Sequence, residues 1–359
     1  MKKLIGAAIV AALLHGPAYG QDLDSFLNDG NFTFSGYGTA GVVHTNTDSA
    51  QFVRGFEPSG ADTHFGENVD SNLAVQATAR FTSWISATVQ GLYDNDAQTD
   101  TISWAYVKVD PVDNLSVKLG KVEIPLYAIS DSRHINYANT WIRPPNEVYA
   151  LGDDDELKGG EASYTVPIGS THLTGTGYYG QSKAFVSASS WLRAPQVKGG
   201  ELRWETDWVT LRASYTAANH ALSSTIHDNY TFVGYGVLMD HNNIIAQAEY
   251  VQRRSSGYGA IVNSDGYYVL AGYRFGKVAP YASYAKAKNV GGPSFFYLSY
   301  PQSTTALGVR WDAFKSADLK FQIERVDPEG SPGISFVNQQ TGFGNSKVTV
   351  ASLTLDFVF

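Results

Sequence analysis

The 359-residue chain has no cysteine and only two methionines. Without cysteine there is no disulfide framework and no thiolate metal site. Equally absent is a long hydrophobic run. The longest, Leu4 to Leu14, covers about eleven residues against the roughly 20 that a helix needs to cross a bilayer. A helical membrane protein is therefore excluded, although 43% of the residues are hydrophobic. Basic charge is also short, with a formal net charge of −8 that argues against nucleic acid as a partner.

What the chain has is alternation. The carboxy terminus reads Ser352, Leu353, Thr354, Leu355, Asp356, Phe357, Val358, Phe359, polar and apolar in turn apart from Val358. Successive strand side chains point to opposite faces, so a two-residue period marks a sheet lying between two different solvents. The same pattern places Lys118 among Leu115, Val117 and Leu119, Arg212 among Val209, Leu211, Ala213 and Tyr215, and Arg310 among Leu307, Val309 and Trp311. The charge always falls on the other parity. Gly, Tyr and Phe are abundant, which suits strands whose outer face meets lipid and whose inner face meets water.

The amino terminus reads as an export signal over residues 1–20: Lys2 and Lys3, the short apolar run, then Ala18-Tyr19-Gly20 as a small-x-small cleavage site. Residues 21–359 are then one domain. Short turns are expected near 82–84, 110–114, 167–170, 206–208, 240–243, 276–277 and 313–318. Long connections are expected near 44–70, 94–100, 122–159, 181–196, 218–229, 254–264, 289–301 and 327–346. Seven turns and eight loops join sixteen strands of about 8–12 residues, close to the length of a tilted transmembrane strand. The fold class expected is all-β: a closed antiparallel transmembrane barrel, short turns at the periplasmic end and long loops outside. At 16–18 strands a barrel is wide enough for an aqueous channel. Trp204, Phe275, Trp311 and Phe359 fall on the lipid parity at the turn end, as an aromatic girdle would.

The longest connection, 122–159, follows the fifth strand and carries Asp131, Arg133, Arg143 and Glu147. With the export signal, the sixteen strands and the terminal Phe359, this long third loop resembles that of a Gram-negative outer-membrane porin. The stretch Trp141-Ile142-Arg143-Pro144-Pro145-Asn146-Glu147-Val148-Tyr149 is similar to third-loop segments of porin-like proteobacterial proteins. The resemblance implies a third loop folded into the lumen, a homotrimer, and a bacterial outer membrane with its lipid and lipopolysaccharide as surroundings. It implies passive diffusion of small hydrophilic solutes and ions, without cofactor or metal. The Pro-Glu-Phe-Gly-Gly-type segment common in the third loop of general porins is absent, so eyelet geometry does not carry over.

On the lumen parity lie Arg80, Lys118, Arg203, Arg212, Arg253, Arg274, Arg310 and Lys320, against Glu161, Glu201, Glu205, Glu249, Glu324 and Asp356. A basic wall facing a partly acidic loop would set ion preference at the narrowest point. The candidate constriction is therefore Arg80, Lys118, Asp131, Arg133, Arg143, Glu147, Arg203, Arg212, Arg274 and Arg310. The bland alternative is that wall arginines neutralise nearby glutamates and hold strands in register. A substrate-selective variant would use Arg133, Arg143 and wall arginines to bind an anionic group. Small polar residues on the inward parity, Ser86, Thr88, Gln90, Ser103, Ser163, Thr165, Thr174 and Thr176, favour a wet channel over a plugged adhesive barrel.

Other motifs point to less. Gly36-Tyr37-Gly38-Thr39-Ala40-Gly41 matches GxGxxG, but it lies inside the first strand with no helix after it, so glycine serving barrel curvature is expected rather than nucleotide binding. The acidic run Asp153, Asp154, Asp155, Glu156 could attract a divalent cation but reads first as a solvated loop. Histidines at 44, 64, 134, 172, 220, 227 and 241 occur without a G-x-S-x-G nucleophile motif, so an outer-membrane barrel enzyme is the minor alternative.

Overall fold

The structure is a computed structural model that describes residues 30–95, 101–152, 156–187, 190–221, 227–256, 262–291 and 301–359. The export signal at 1–20, residues 96–100 of the second loop and Asp153–Asp155 of the acidic run lie outside the described residues.

Sixteen strands form one closed antiparallel barrel, and two short strands pair in a separate two-stranded sheet. In chain order the strands are β1 (Phe32–Thr45), β2 (Gln51–Phe52), β3 (Asn72–Arg80), β4 (Ile85–Tyr93), β5 (Ile102–Val112), β6 (Leu115–Glu123), β7 (Glu156–Ile168), β8 (Thr171–Ser187), β9 (Ser190–Glu205), β10 (Val209–Ala221), β11 (His227–His241), β12 (Ile244–Ser256), β13 (Ser264–Tyr273), β14 (Val278–Asn289), β15 (Gln302–Trp311), β16 (Ala317–Asp327), β17 (Phe336–Val337) and β18 (Val348–Val358). Each barrel strand pairs with its neighbour in sequence, and β18 closes on β1. No helix among the described residues is long and apolar enough to cross a membrane.

The seven turns lie where expected. At the β11–β12 turn, Asn242 and Asn243 have φ of 49° and 69°, the left-handed pair that a tight hairpin with native twist requires. One loop does not hold. The connection expected at 181–196 is mostly sheet: β8 and β9 run 17 and 16 residues and stay paired as far as Ser187 opposite Ser190. A sheet that rises past the apolar band loses its lipid-facing signal while keeping its backbone ladder, so its polar end reads as loop.

Outward positions carry the apolar load: Val107, Leu119, Leu202, Leu211, Leu307, Phe321 and Leu353 are exposed. At the turn end Trp204, Phe275, Trp311 and Phe359 are exposed too, where an aromatic girdle belongs. Towards the loop end Tyr235, Tyr250 and Tyr267 sit directly across from one another on β11, β12 and β13.

The glycines of the GxGxxG stretch have a different role from curvature alone. Gly36 exchanges two backbone hydrogen bonds with Phe359, at 2.9 and 3.0 Å, which completes the seam. A Cβ on Gly36 would stand 2.3 Å from the Phe359 ring and 2.6 Å from the Ala74 carbonyl oxygen, and one on Gly38 would stand 2.6 Å from the Phe357 ring. The two terminal rings lie 6.4 Å apart and nearly parallel, covering Gly36 and Gly38 of the first strand. Aromatic cover of a strand glycine pins register where the barrel closes. Gly36→Val should therefore overpack the seam by about 1–3 kcal/mol. The expected result is a lower heat-unfolding midpoint in detergent, followed as the gel shift between folded and unfolded barrel, with Gly177→Val on β8, where an added Cβ meets nothing within 4 Å, as the control for added bulk alone.

Candidate functional site

Residues 124–152, which follow β6, turn into the barrel. The chain leaves β6 at Glu123, makes two short 3-10 turns at Ser130–Ser132 and Asn136–Ala138, and forms a single helical turn, α1 (Asn146–Tyr149). Pro144 and Pro145 precede α1, where proline is tolerated because the first helical N–H groups have no intrahelical partner.

The loop is pinned along its length to one side of the lumen. Ser214 Oγ on β10 donates to the Leu126 carbonyl at 3.0 Å, and the Arg212 guanidinium donates to the Pro125 carbonyl while holding Glu201 at 2.7 Å. Glu249 on β12 accepts the Ala128 amide and the Tyr149 hydroxyl, both at 2.8 Å. Lys320 Nζ on β16 donates to the Asn136 carbonyl at 2.6 Å, and Asn136 Nδ2 donates to Thr39 Oγ1 on β1 at 3.0 Å. Arg310 Nη1 on β15 donates to the Tyr137 and Asn139 carbonyls at 2.7 and 2.8 Å.

The strongest anchor is Arg143, whose side chain is 2% exposed. Its Nε donates to Asp70 Oδ1 at 2.8 Å, its Nη2 to Ser352 Oγ on β18 at 2.5 Å, and its Nη1 to Glu324 on β16. It also lies over the Phe52 ring at 5.0 Å. Burial disfavours the cation, but Asp70 and Glu324 outweigh burial and raise its pKa above the usual arginine value. Next to it, Asn146 Nδ2 donates to the Val53 carbonyl at 2.9 Å and to Ser335 Oγ at 2.8 Å, which ties α1 to the first and eighth loops. Those loops pair with each other through β2 and β17.

Packing matches the hydrogen bonds. Trp141 meets Tyr268 edge-on at 5.0 Å, Tyr127 stacks on Tyr149 at 4.5 Å, and Tyr127 meets Phe232 edge-on at 5.4 Å. Ile124, Leu126, Val148 and Leu151 are fully buried in the same cluster. Gly266 admits the loop backbone, since a Cβ there would stand 2.2 Å from the Glu147 carbonyl oxygen. The β10–β16 side of the lumen is thus a dry, packed interface with the loop.

The β4–β9 side is different. Ser163 and Thr176, and Thr165 and Thr174, face each other at 2.9 and 3.0 Å in a ladder of hydroxyls. Near its middle Lys118 pairs with Glu161 at 2.9 Å and lies over the Tyr106 ring at 5.7 Å. Arg203 holds Glu201 at 2.8 Å, and the loop's Asp131 reaches to 3.9 Å from Arg203 with its side chain 70% exposed. A gap flanked by one loop carboxylate and two wall cations therefore separates the loop from this wall.

A closed sixteen-stranded antiparallel barrel is shared with solved structures. The chain is similar to an anion-selective porin from Comamonas acidovorans, with a TM-score of 0.62 at 12% identity over 91% of this chain and 99% of that one. The fold is that of the porins. OmpF of Salmonella typhi, in complex with daunomycin, gives a TM-score of 0.59 at 13% identity over 92% of this chain and 99% of that one. OmpT, an outer-membrane protein of Vibrio cholerae, in its trimer form gives 0.57 at 11% identity over 91% and 99%. No family model matches the sequence, and no curated protein is similar to it in sequence.

Within this porin fold the ten candidate constriction residues divide into three groups. Lys118, Asp131, Arg133 and Arg203 come together at the gap, with Arg133 held by Glu123 at 3.1 Å. Arg143, Glu147, Arg212 and Arg310 are drawn to the opposite wall as loop anchors, because buried carboxylates and carbonyls outcompete the channel for them. Arg80 and Arg274 are not brought to the loop. Arg80 ends β3 beside a turn, and Arg274 pairs with Asp240 at 2.5 and 2.6 Å at the turn end. Asp70, Tyr149, Trp141 and Tyr268 went unread as anchors. Aromatics on the lumen parity, such as Tyr230 and Phe232 on β11, were the available signal, since a wetted wall has no use for them.

Two further groups on the loop are tuned by burial. His134 is kept well below the usual histidine value by burial and then by Arg133 and Arg54, so it is neutral and its Nε2 accepts from Arg133 Nε at 3.0 Å. Burial raises the Glu147 pKa although Gln302 donates to it at 2.8 Å and Thr304 also donates. The folded state then binds the Glu147 proton more tightly than the unfolded chain. Its contribution to stability is complete below the ordinary carboxylate range and is lost as pH rises through the raised value. Glu147→Gln keeps an acceptor for both donors, so it should match the parent in heat unfolding near pH ~4 and exceed it near pH ~8. Equal curves at both values would show that Glu147 is not titrating there. Arg143→Leu leaves Asp70 and Glu324 buried without their cation and should cost about 3–5 kcal/mol, read as a large fall in the unfolding midpoint.

Proposed function

We propose that the chain is an outer-membrane porin, a passive diffusion channel for small hydrophilic solutes and ions. The observation that carries this reading is the third loop seated on one half of the lumen, leaving a polar flank along β4–β9. The fixed loop sets the width of the path, and the charges at the gap bias what passes. The channel needs no cofactor and is not an enzyme. It is exported through a cleaved signal at 1–20 and works as a homotrimer among outer-membrane lipid and lipopolysaccharide.

An anion-preferring variant is favoured by one feature. Lys118 and Arg203 keep 31% and 29% side-chain exposure, while the Glu161 and Glu201 that neutralise them are 10% and 5% exposed. Asp131 opposes this preference from the loop.

Refolded protein in a planar bilayer should give stable conductance steps, in threes where trimers insert. A correctly folded barrel that stays silent would overturn the reading. Under a salt gradient, Asp131→Asn should move the zero-current potential towards anions and Arg203→Gln towards cations. One unit charge at about 4 Å in water is worth about 1 kcal/mol, a factor of about five in relative permeability. Unchanged potentials in both variants would place selectivity elsewhere.

A further inference from the structure

On the outer face of the barrel, charge returns to the lipid parity at the loop end of β12–β18. Arg254 on β12, Lys286 and Lys288 on β14, Arg325 on β16 and Lys347 just before β18 stand there against Asp265, Asp327 and Glu329. Strand pairing fixes their level. Tyr284, Thr305, Arg325 and Thr349 lie opposite one another across β14, β15, β16 and β18, and the next outward rung below them, Leu307 with Ile323, is 63% and 44% exposed. Arg325 therefore sits at the edge of the apolar band, level with a tyrosine of the kind that marks a membrane–water boundary.

The three carboxylates occupy four of the five cations. Asp265 holds Arg254 at 2.7 Å and lies 3.7 Å from Lys288, Glu329 holds Lys286 at 2.7 Å, and Asp327 holds Lys347 at 3.0 Å. Arg325 is the cation left over. Its Nη1 donates to Thr349 Oγ1 at 2.6 Å, and no carboxylate among the described residues reaches it. A guanidinium carries five N–H donors and an ammonium three, so Arg325 and the 56% exposed Lys347 both keep donors in hand. Lys347 is the diagonal neighbour of Arg325 across β16 and β18, a separation of about 7–8 Å that two long side chains span. Water can satisfy such donors but cannot offset their charge. At the depth of the membrane boundary the anions at hand are lipid phosphates, and a guanidinium fork beside an ammonium matches a phosphate in shape and charge.

We propose that Arg325 and Lys347 bind the phosphate of a phosphorylated lipid headgroup in the outer leaflet, with the acyl chains lying along the exposed Leu307, Phe321 and Ile323 below. The site rests on the outer-membrane reading for its ligand, and it deepens that reading by giving the lipid a fixed seat on one side of the barrel. Binding itself does not require conduction. The seat lies on the outer face of β16 and β18, whose inner faces hold Arg143 through Glu324 and Ser352.

The test is titration of lipopolysaccharide into the folded, detergent-solubilised protein by microscale thermophoresis, beside the same lipid stripped of its phosphates and beside inorganic phosphate, with bilayer conductance recorded on the same preparation. Saturable binding of the intact lipid is expected, at least about tenfold weaker binding of the stripped lipid, and no saturable binding of inorganic phosphate, which brings no acyl chains. Arg325→Gln and Lys347→Gln should each weaken binding about fivefold and Arg325→Lys less, whereas Lys198→Gln, which removes an exposed outward cation at the loop end of β9, should leave it unchanged. The gel shift of the folded barrel shows that each variant is folded. No saturable binding to the folded parent, equal binding of the stripped lipid, or indifference to Arg325→Gln would overturn the proposal. So would an equal loss in Lys198→Gln, which would make the attraction one of rim charge in general. Lipid binding unchanged in Arg325→Gln with loss of the trimer would overturn it too, and would make this face a contact between copies of the chain. Phosphate-dependent binding to a barrel that does not conduct would support the site and sink the channel reading instead, while conduction without such binding would do the reverse.

Discussion

One buried cation organises the lumen. Arg143 is taken out of water on the third loop, and an arginine so placed is tolerated only where several acceptors meet it with good geometry. Asp70, Glu324 and Ser352 supply them from the first loop, β16 and β18. The guanidinium fork is planar and rigid, so meeting all three fixes where the loop lies as well as whether it binds. Each acceptor on its own would be costly in the interior. Together with Arg143 they form a unit whose removal in part is worse than its absence.

Around that unit the barrel wall is not uniform. Half of the lumen surface carries aromatic and aliphatic side chains that would be misplaced against water, and the loop supplies their apolar partners. The other half carries hydroxyls, amides and paired charges that are content with water. The loop is therefore better described as a second wall built inside the first than as a flap across an opening. In the channel we propose, the solute path would run to one side of the barrel axis as a result.

Sheet architecture was legible because alternation against two solvents leaves a record at every second residue. All sixteen barrel strands, all seven turns and the inward sense of Lys118, Arg203, Arg212 and Arg310 could be read that way. The loop-end extension of the β8–β9 hairpin could not, because the record stops where lipid stops. Partners were the other loss. Alternation says that Arg212 and Arg310 point inward, but whether they meet channel or loop depends on the path of residues 124–152, which follows no period. The grouping of Asp131 with Arg203, and of Arg143 with Asp70, joins positions far apart in sequence by contacts that only the closed barrel creates. Gly36 and Gly38 were noticed for a spacing that mimics another motif, and their use lies in the two rings of the last strand.

The anchors of the third loop also impose an order of events. Thr39 is on β1, Lys320 on β16 and Ser352 on β18, so the seat for a segment in the middle of the chain is assembled from both of its ends. Contacts across such separations are slow to form, because the entropy of closing the intervening chain is spent before any of them is made. Asn136 and Arg143 thus find their full set of partners only once the last strand has met the first. Until then the aromatic half of the lumen has nothing to cover it, and an unfinished barrel is an apolar surface in search of a partner.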